Sequence, residues 1–200
     1  MSKPLPIPYP FAEKPGMRIP DVELCLRLME ETRMWPNIYR HSRVVTDVAR
    51  LLAGELNRIG ERLNMALVLA GALLHDITKT RSIVTHEHHA RTGEEMIRDL
   101  GYPEVAYVVG QHVHMDPEHL KQPFVSEAEL VFYADKRVRH ETVVSLMDRY
   151  SDLEHRYAKT SEHRNRIREN LQFAQDLEAK IFLSLPFTPH EMETKLRATY

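Results

Sequence analysis

His75 and Asp76 stand side by side at the end of an unbroken apolar run of ten residues, Met65 to Leu74. A helix that is apolar on every side is a buried one, so the residues that follow it start near the protein's centre. A carboxylate beside an imidazole is costly there unless both are paired or hold a metal. Candidate partners are His41 upstream and His89, His112 and Asp135 downstream. His41 shares the stripe of Val44, Val45 and Val48, His112 follows Val105, Val108 and Val109, and Asp135 falls between Val131 and Val138 at helical spacing. Each therefore points a polar group the way core residues point. A core histidine bonded to a backbone carbonyl explains either imidazole taken alone. It does not explain an ionised carboxylate at 135, and a salt bridge from Lys136 or Arg137 is a poor remedy because neighbouring helix residues point in different directions. Ligands from separate helices meeting on one cation explain all of them together, since the metal's charge offsets the desolvation of the two carboxylates. A mixed nitrogen and oxygen donor set suits Mn, Fe, Co, Ni or Zn.

The rest of the composition is compatible with that chemistry. Twelve histidines are present, and seven of them fall between His75 and His119, a clustering that favours a metal site. A formal charge of -2 offers no basic field to draw nucleic acid or an anionic membrane. The lone Cys25 excludes an intramolecular disulfide and, among Val22, Leu24, Leu28 and Met29, reads as a small core residue. No basic-then-apolar leader is visible, and the longest apolar run is well short of the ~20 residues that cross a bilayer. The expectation is a soluble, cytoplasmic protein.

The elements that must position the candidate ligands are all helical. Residues 1–20, with six prolines, read as an extended arm. Asp21 has the character of an N-cap for a first helix that Trp35-Pro36 ends. A second helix starts near Ile38, and the buried third runs from about Asn64 to His75-Asp76. A polar loop is expected over residues 80–86, then a helix closed by Gly101 and another opened by Pro103. Ser126 and Glu129 have capping-box spacing ahead of a helix expected to reach about Tyr157. A helix from about Ser161 to Leu185 and a short one after Thr188-Pro189 complete the chain. No repeat and no convincing strand is found. The expected fold class is all-α, a single helical domain over residues 21–200, with a core at about 35–140 and a helical extension at 141–200.

The ordered motifs resemble the HD-domain superfamily of metal-dependent phosphohydrolases. The matching pieces are Arg40-His41-Ser42, then Leu73-Leu74-His75-Asp76-Ile77 with Lys79, then His89 four residues before Gly93, His112 at a helix end, and Asp135 within Tyr133-Ala134-Asp135-Lys136. The resemblance implies a helical HD-type bundle with a primary metal site of His41, His75, Asp76 and Asp135. It implies that His89 and His112 are the extra ligands of two-metal members, with Asp76 as bridge. His114 matches less well because Val113 intervenes, and His86 and His88 read as surface or rim residues. Thr78 departs from the glycine or alanine usual at its position. Gly101-Tyr102-Pro103 matches the tripeptide of a cyclic-dinucleotide phosphodiesterase branch, but it precedes His112 here instead of following the later histidines. It reads as a helix stop and start, and that branch is rejected.

The activity implied is hydrolysis of a small phosphorylated substrate, with nucleotides among the candidates. Hydroxide from a metal-bound water attacks phosphorus, using one or two divalent transition-metal ions. Asp76 and Lys79 are the catalytic candidates: Asp76 as bridge or proton acceptor, Lys79 as a counter-charge to the phosphoryl oxygens or as a solvated helix-end charge. Lys136 and Arg137 are candidates to reach the substrate phosphate but read better as solvated helix face, as do the interleaved charges of residues 154–169. Alternatives are a di-iron oxygenase with a similar ligand set, or a regulatory module that holds metal and nucleotide without turnover. The C-terminal helices are candidates for covering the pocket, shaping specificity or making a homodimer contact.

Overall fold

The computed structural model describes residues 16–198. The prolines of the expected arm lie mostly outside the described residues. Helix α1 (Val22–Glu31) starts where Asp21 accepts a hydrogen bond from the Leu24 amide at 2.7 Å. Helix α2 (Pro36–Arg58) is the long amphipathic element, with Val45, Val48, Ala49 and Leu52 fully buried along one stripe. The Asn64 side chain caps α3 (Met65–Leu74), which packs against α1, α2, α6 (Pro103–Gln111) and α7 (Glu127–Lys136). Enclosure on so many sides is why α3 has no polar face.

Gly71 explains how closely α3 approaches α6. A Cβ at that position would fall 2.5 Å from Val108 Cγ1, so any other residue would force the helices apart. Helix α4 (Lys79–Thr85) follows the His-Asp turn directly and occupies the segment expected to be a loop. Its short length gives no periodic signal, and its polar sequence resembles a loop. Helix α5 (His89–Asp99) packs along α6 across a turn in which Gly101 has φ +86°. That is the left-handed backbone glycine adopts readily. A 3-10 turn (Pro117–Lys121) then leads to α7, whose capping box of Ser126 and Glu129 is fully formed.

Helix α7 does not continue to Tyr157. It stops at Lys136, and a two-stranded antiparallel hairpin, β1 (Val138–Arg139) and β2 (Thr142–Val143), turns at His140 with φ +57°. Two-residue strands are too short to show alternation in sequence. Ser145 then caps α8 (Leu146–Tyr157), which pairs with α9 (Ser161–Phe182). Helix α10 (Met192–Ala198) closes the described chain. The fold is all-α apart from the hairpin, and no helix among the described residues is long and apolar enough to cross a membrane.

Candidate metal centre

All six candidate ligands meet at one place in the fold, where the C-terminus of α3, the start of α5, the end of α6 and the last turn of α7 converge beside α2. His41, His75 and Asp135 bring one potential ligand atom each within 4.8 Å of the others, and Asp76, His89 and His112 do the same. The two triads adjoin through neighbouring residues His75 and Asp76. Asp76 Oδ1 lies 3.4 Å from both His89 Nε2 and His112 Nε2, while its Oδ2 lies 3.5 Å from His75 Nε2. His75 Nε2 is 3.7 Å from Asp135 Oδ1, which is itself 3.0 Å from His41 Nε2.

Backbone carbonyls set the orientation of three imidazoles. Nδ1 of His75 bonds the Ala72 carbonyl at 2.8 Å, Nδ1 of His112 that of Val109 at 2.6 Å, and Nδ1 of His41 that of His140 at 2.8 Å. With Nδ1–H so committed, each Nε2 presents a lone pair to the centre, the usual arrangement of ligating histidines. Nε2 of His75, Nε2 of His112 and Oδ1 of Asp76 are buried without any hydrogen-bond partner. Acceptors therefore face acceptors across about 3–4 Å, an arrangement that positive charge between them resolves. The donor set fits a divalent cation.

The electrostatics agree. Burial pushes the Asp76 carboxyl up, but Lys79 and the surrounding imidazoles outweigh it and hold the group well below the usual carboxylate range. Asp135 behaves likewise, with Lys136 and His41 prevailing over burial. Burial lowers His112, and it lowers His89 to about 3, helped by the neighbouring His112 and Lys79, so both present neutral nitrogens. At His75 burial also pulls downward, yet Asp76 and Asp135 prevail and raise it. The two carboxylates attract positive charge to this spot.

The residues around the ligands differ in several ways from the sequence reading. Lys79 is not a solvated helix-end charge: it opens α4, and its Nζ is 2.8 Å from Asp76 Oδ2. Lys136 and Arg137 are not solvated surface either, for both are buried. Lys136 Nζ donates to Asp135 Oδ2 at 2.7 Å and to the His112 carbonyl at 2.8 Å. That salt bridge forms although its partners are adjacent in sequence, because α7 ends at Lys136 and the long lysine stem folds back onto its neighbour. Arg137 turns the other way, to Glu178, Tyr133 and the Pro189 carbonyl. Thr78, the departure from the family pattern, donates to the His89 carbonyl at 2.8 Å and so ties the His-Asp turn to the start of α5.

His86, His88 and His114 are exposed and stand apart from both triads. The sequence reading missed His140, whose carbonyl orients His41, and it missed Arg149 and Arg156 on α8. These two line, with Lys79, the ≈ 480 Å³ cavity that opens onto the ligands. Only the hairpin turn and the position of α8 bring them there, and no spacing in the sequence signals either.

Comparison with known proteins places this geometry. The family model of the HD domain matches residues 38–152, more than half of the chain. Ribonuclease Y of Treponema denticola is 29% identical over 130 residues, 64% of this chain and 25% of that protein. Ribonuclease Y of Treponema pallidum is 32% identical over 130 residues, again 64% and 25% of the two chains. Ribonuclease Y of Clostridium botulinum is 31% identical over 143 residues, 70% and 26%. The chain thus spans about a quarter of the length of these relatives. A crystal structure of a predicted HD superfamily hydrolase from an uncultured Thermotogales bacterium superposes with a TM-score of 0.47 at 16% identity, over 84% of this chain and 95% of that one.

Proposed function

The chain belongs to the HD-domain family, and from that premise we propose that it is a metal-dependent phosphohydrolase acting on a small phosphate ester, nucleotides among them. The observation that carries the proposal is a set of buried, partnerless acceptors, His75 Nε2, Asp76 Oδ1 and His112 Nε2, of which Asp76 and His112 line a cavity together with Lys79, Arg149 and Arg156. Acceptors call for a cation, and beside them Arg149 and Arg156 share the one carboxylate of Asp152, which leaves positive charge for an anion. His41, His75 and Asp135 would hold one ion, and Asp76, His89 and His112 a second. A bound divalent ion would supply the Lewis acidity that makes water nucleophilic near neutral pH.

The protein's own groups do the rest. Asp76 turns Oδ1 to His89 and His112 while Lys79 holds its Oδ2, which fixes the carboxylate between the two triads. Lys79, Arg149 and Arg156 neutralise the non-bridging phosphoryl oxygens as charge grows on them. Water oxygen bonds to phosphorus, the ester P–O bond breaks, and the departing oxygen takes up a proton. Relatives named ribonuclease support chemistry at a phosphoester. The formal charge of -2 and the absence of a basic field favour a small substrate over a polynucleotide.

Metal analysis of untagged protein purified without chelator, paired with a phosphoester and nucleotide panel, tests the proposal. Bound transition metal with turnover, both lost in Asp76→Ala, is the expected result. Iron with oxygen consumption and no phosphoester turnover would replace it with the oxygenase reading. Nucleotide binding that persists in Asp76→Ala, with no product from the parent protein, would replace it with a regulatory one.

A further inference from the structure

We infer that the substrate carries an apolar aromatic group, and that α8 and α9 build the compartment that receives it; this rests on the phosphohydrolase reading above. Beside the cavity of the metal centre lies a second one of ≈ 810 Å³, lined by Val113, Met115, Leu153, Tyr157, Ile167 and Phe173 among others. Val113, Leu153 and Tyr157 line both, so the two cavities share a wall. Their chemistry changes across it. One side holds the candidate ligands and the cations beside them, whereas the surface of the other is mostly aliphatic and aromatic, although His88, His114, Arg166 and Glu169 also line it. The second volume lies within the ~300–1,000 Å³ of sites that hold small organic ligands.

The compartment is fixed in place rather than left by loose packing. Asn170 Nδ2 donates to the Val113 carbonyl at 3.0 Å, and the Tyr150 hydroxyl donates to the Asn170 carbonyl at 3.0 Å, which ties α9 both to the chain after α6 and to α8. Phe173 is held edge-on against Phe132 at 5.3 Å between ring centroids. Leu153, Tyr157, Ile167 and Phe173 all lie beyond residue 152, where the family match ends. That part of the wall lies outside the residues the HD-domain model matches, while Val113, Met115 and Tyr150 lie inside them. A phosphoryl group seated by Lys79, Arg149 and Arg156 places the substituent on its ester oxygen toward the neighbouring volume. A sugar's hydroxyls would meet Leu153, Ile167 and Phe173 there and lose their hydrogen bonds with water. An aromatic ring loses none and buries its surface.

Non-hydrolysable phosphonates separate this inference from the hydrolytic one. Calorimetric titration of the full chain loaded with manganese should show benzylphosphonate binding about tenfold or more tighter than methylphosphonate. Ile167→Trp, which fills the compartment, should abolish that advantage and leave the methylphosphonate affinity within about twofold, with thermal melting confirming that the variant is folded. If Ile167→Trp does not fold, Glu169→Trp at the exposed edge of the compartment replaces it. Equal affinities for the two phosphonates, an advantage that survives the filling variant, or no binding of either would overturn the inference. An advantage that the filling variant removes, in a protein that turns over no phosphoester, supports the compartment and sinks the hydrolytic reading alone.

Discussion

Charge is buried at both ends of α7, and the two ends treat it differently. At the N-terminal end Glu129 accepts from Ser126 through its backbone amide and hydroxyl, and from Lys180 at 2.6 Å, while Lys180 also donates to the His119 carbonyl. Just past the C-terminal end Arg137 is equally well served by Glu178, Tyr133 and two backbone carbonyls. Lys180 and Arg137 each meet acceptors there. Close by, around Asp76, acceptors meet acceptors, and three buried atoms are left with no partner. A network evolved to hold helices together closes on itself; one built to receive a ligand leaves a charge to be supplied. Burial alone does not separate the two. The balance of donors and acceptors does.

Asp76→Ala gives the strongest way to break this contrast. Hydrolysis should fall by about a thousandfold or more, about 4 kcal/mol of transition-state stabilisation, and bound metal should fall with it. Without metal the variant should lose less stability than Lys180→Ala does, because Oδ1 of the removed carboxylate had no partner and Lys79, the partner of its Oδ2, is partly exposed to water. A large loss of stability without metal would place Asp76 with the self-contained networks instead.

Lys180→Ala probes the other kind of burial. It strands Glu129, whose side chain is 1% exposed, and removing one member of a buried pair costs about 3 kcal/mol or more. Glu129 is already pushed up by burial against the opposing pull of Lys180, so proton uptake will keep the loss near the lower end. Denaturant unfolding measures it, and metal content should not change. Metal itself sharpens the contrast further. At a free concentration about a hundred times Kd it should stabilise the parent protein by about 2.7 kcal/mol, several degrees in Tm, with chelator reversing the shift and Asp76→Ala showing none.

The sequence made the centre legible because its ligands interrupt apolar patterns: His75-Asp76 ends a run with no polar face, and Asp135 sits in a valine stripe. Helix boundaries with a chemical signal were equally readable, at Asp21, Pro103 and the Ser126–Glu129 box. What escaped were features set by the path of a short turn. The hairpin that delivers the His140 carbonyl to His41 has two residues per strand, too few for a period. Lys136 reaches Asp135 only because the helix stops there. Arg156 stands among interleaved charges that read as surface and Arg149 carries no signal of its own, and only the docking of α8 turns them toward the cavity. Side chains that sit in a pattern announce themselves, while those delivered by a backbone turn do not.

His119 supplies the smallest test, at a weak point of the self-contained network. Its Nε2 is 3.1 Å from the Tyr107 hydroxyl, but Nδ1 is buried with no partner, and burial together with the nearby Lys180 lowers the group to about 4. Between that value and the ~6.5 of an unfolded histidine, the unfolded chain binds a proton that the native protein does not, so this group makes stability fall as pH falls through that window. The effect is at most one proton's slope, about 1.4 kcal/mol per pH unit, and it ends below about pH 4, where both states are protonated. His119→Gln should flatten the pH dependence of unfolding between pH 6.5 and 4 relative to the parent protein, both measured metal-free so that ligand protonation at the centre cancels. An unchanged slope would mean that His119 finds a partner for its second nitrogen, and that the network around Glu129 is closed at this corner too.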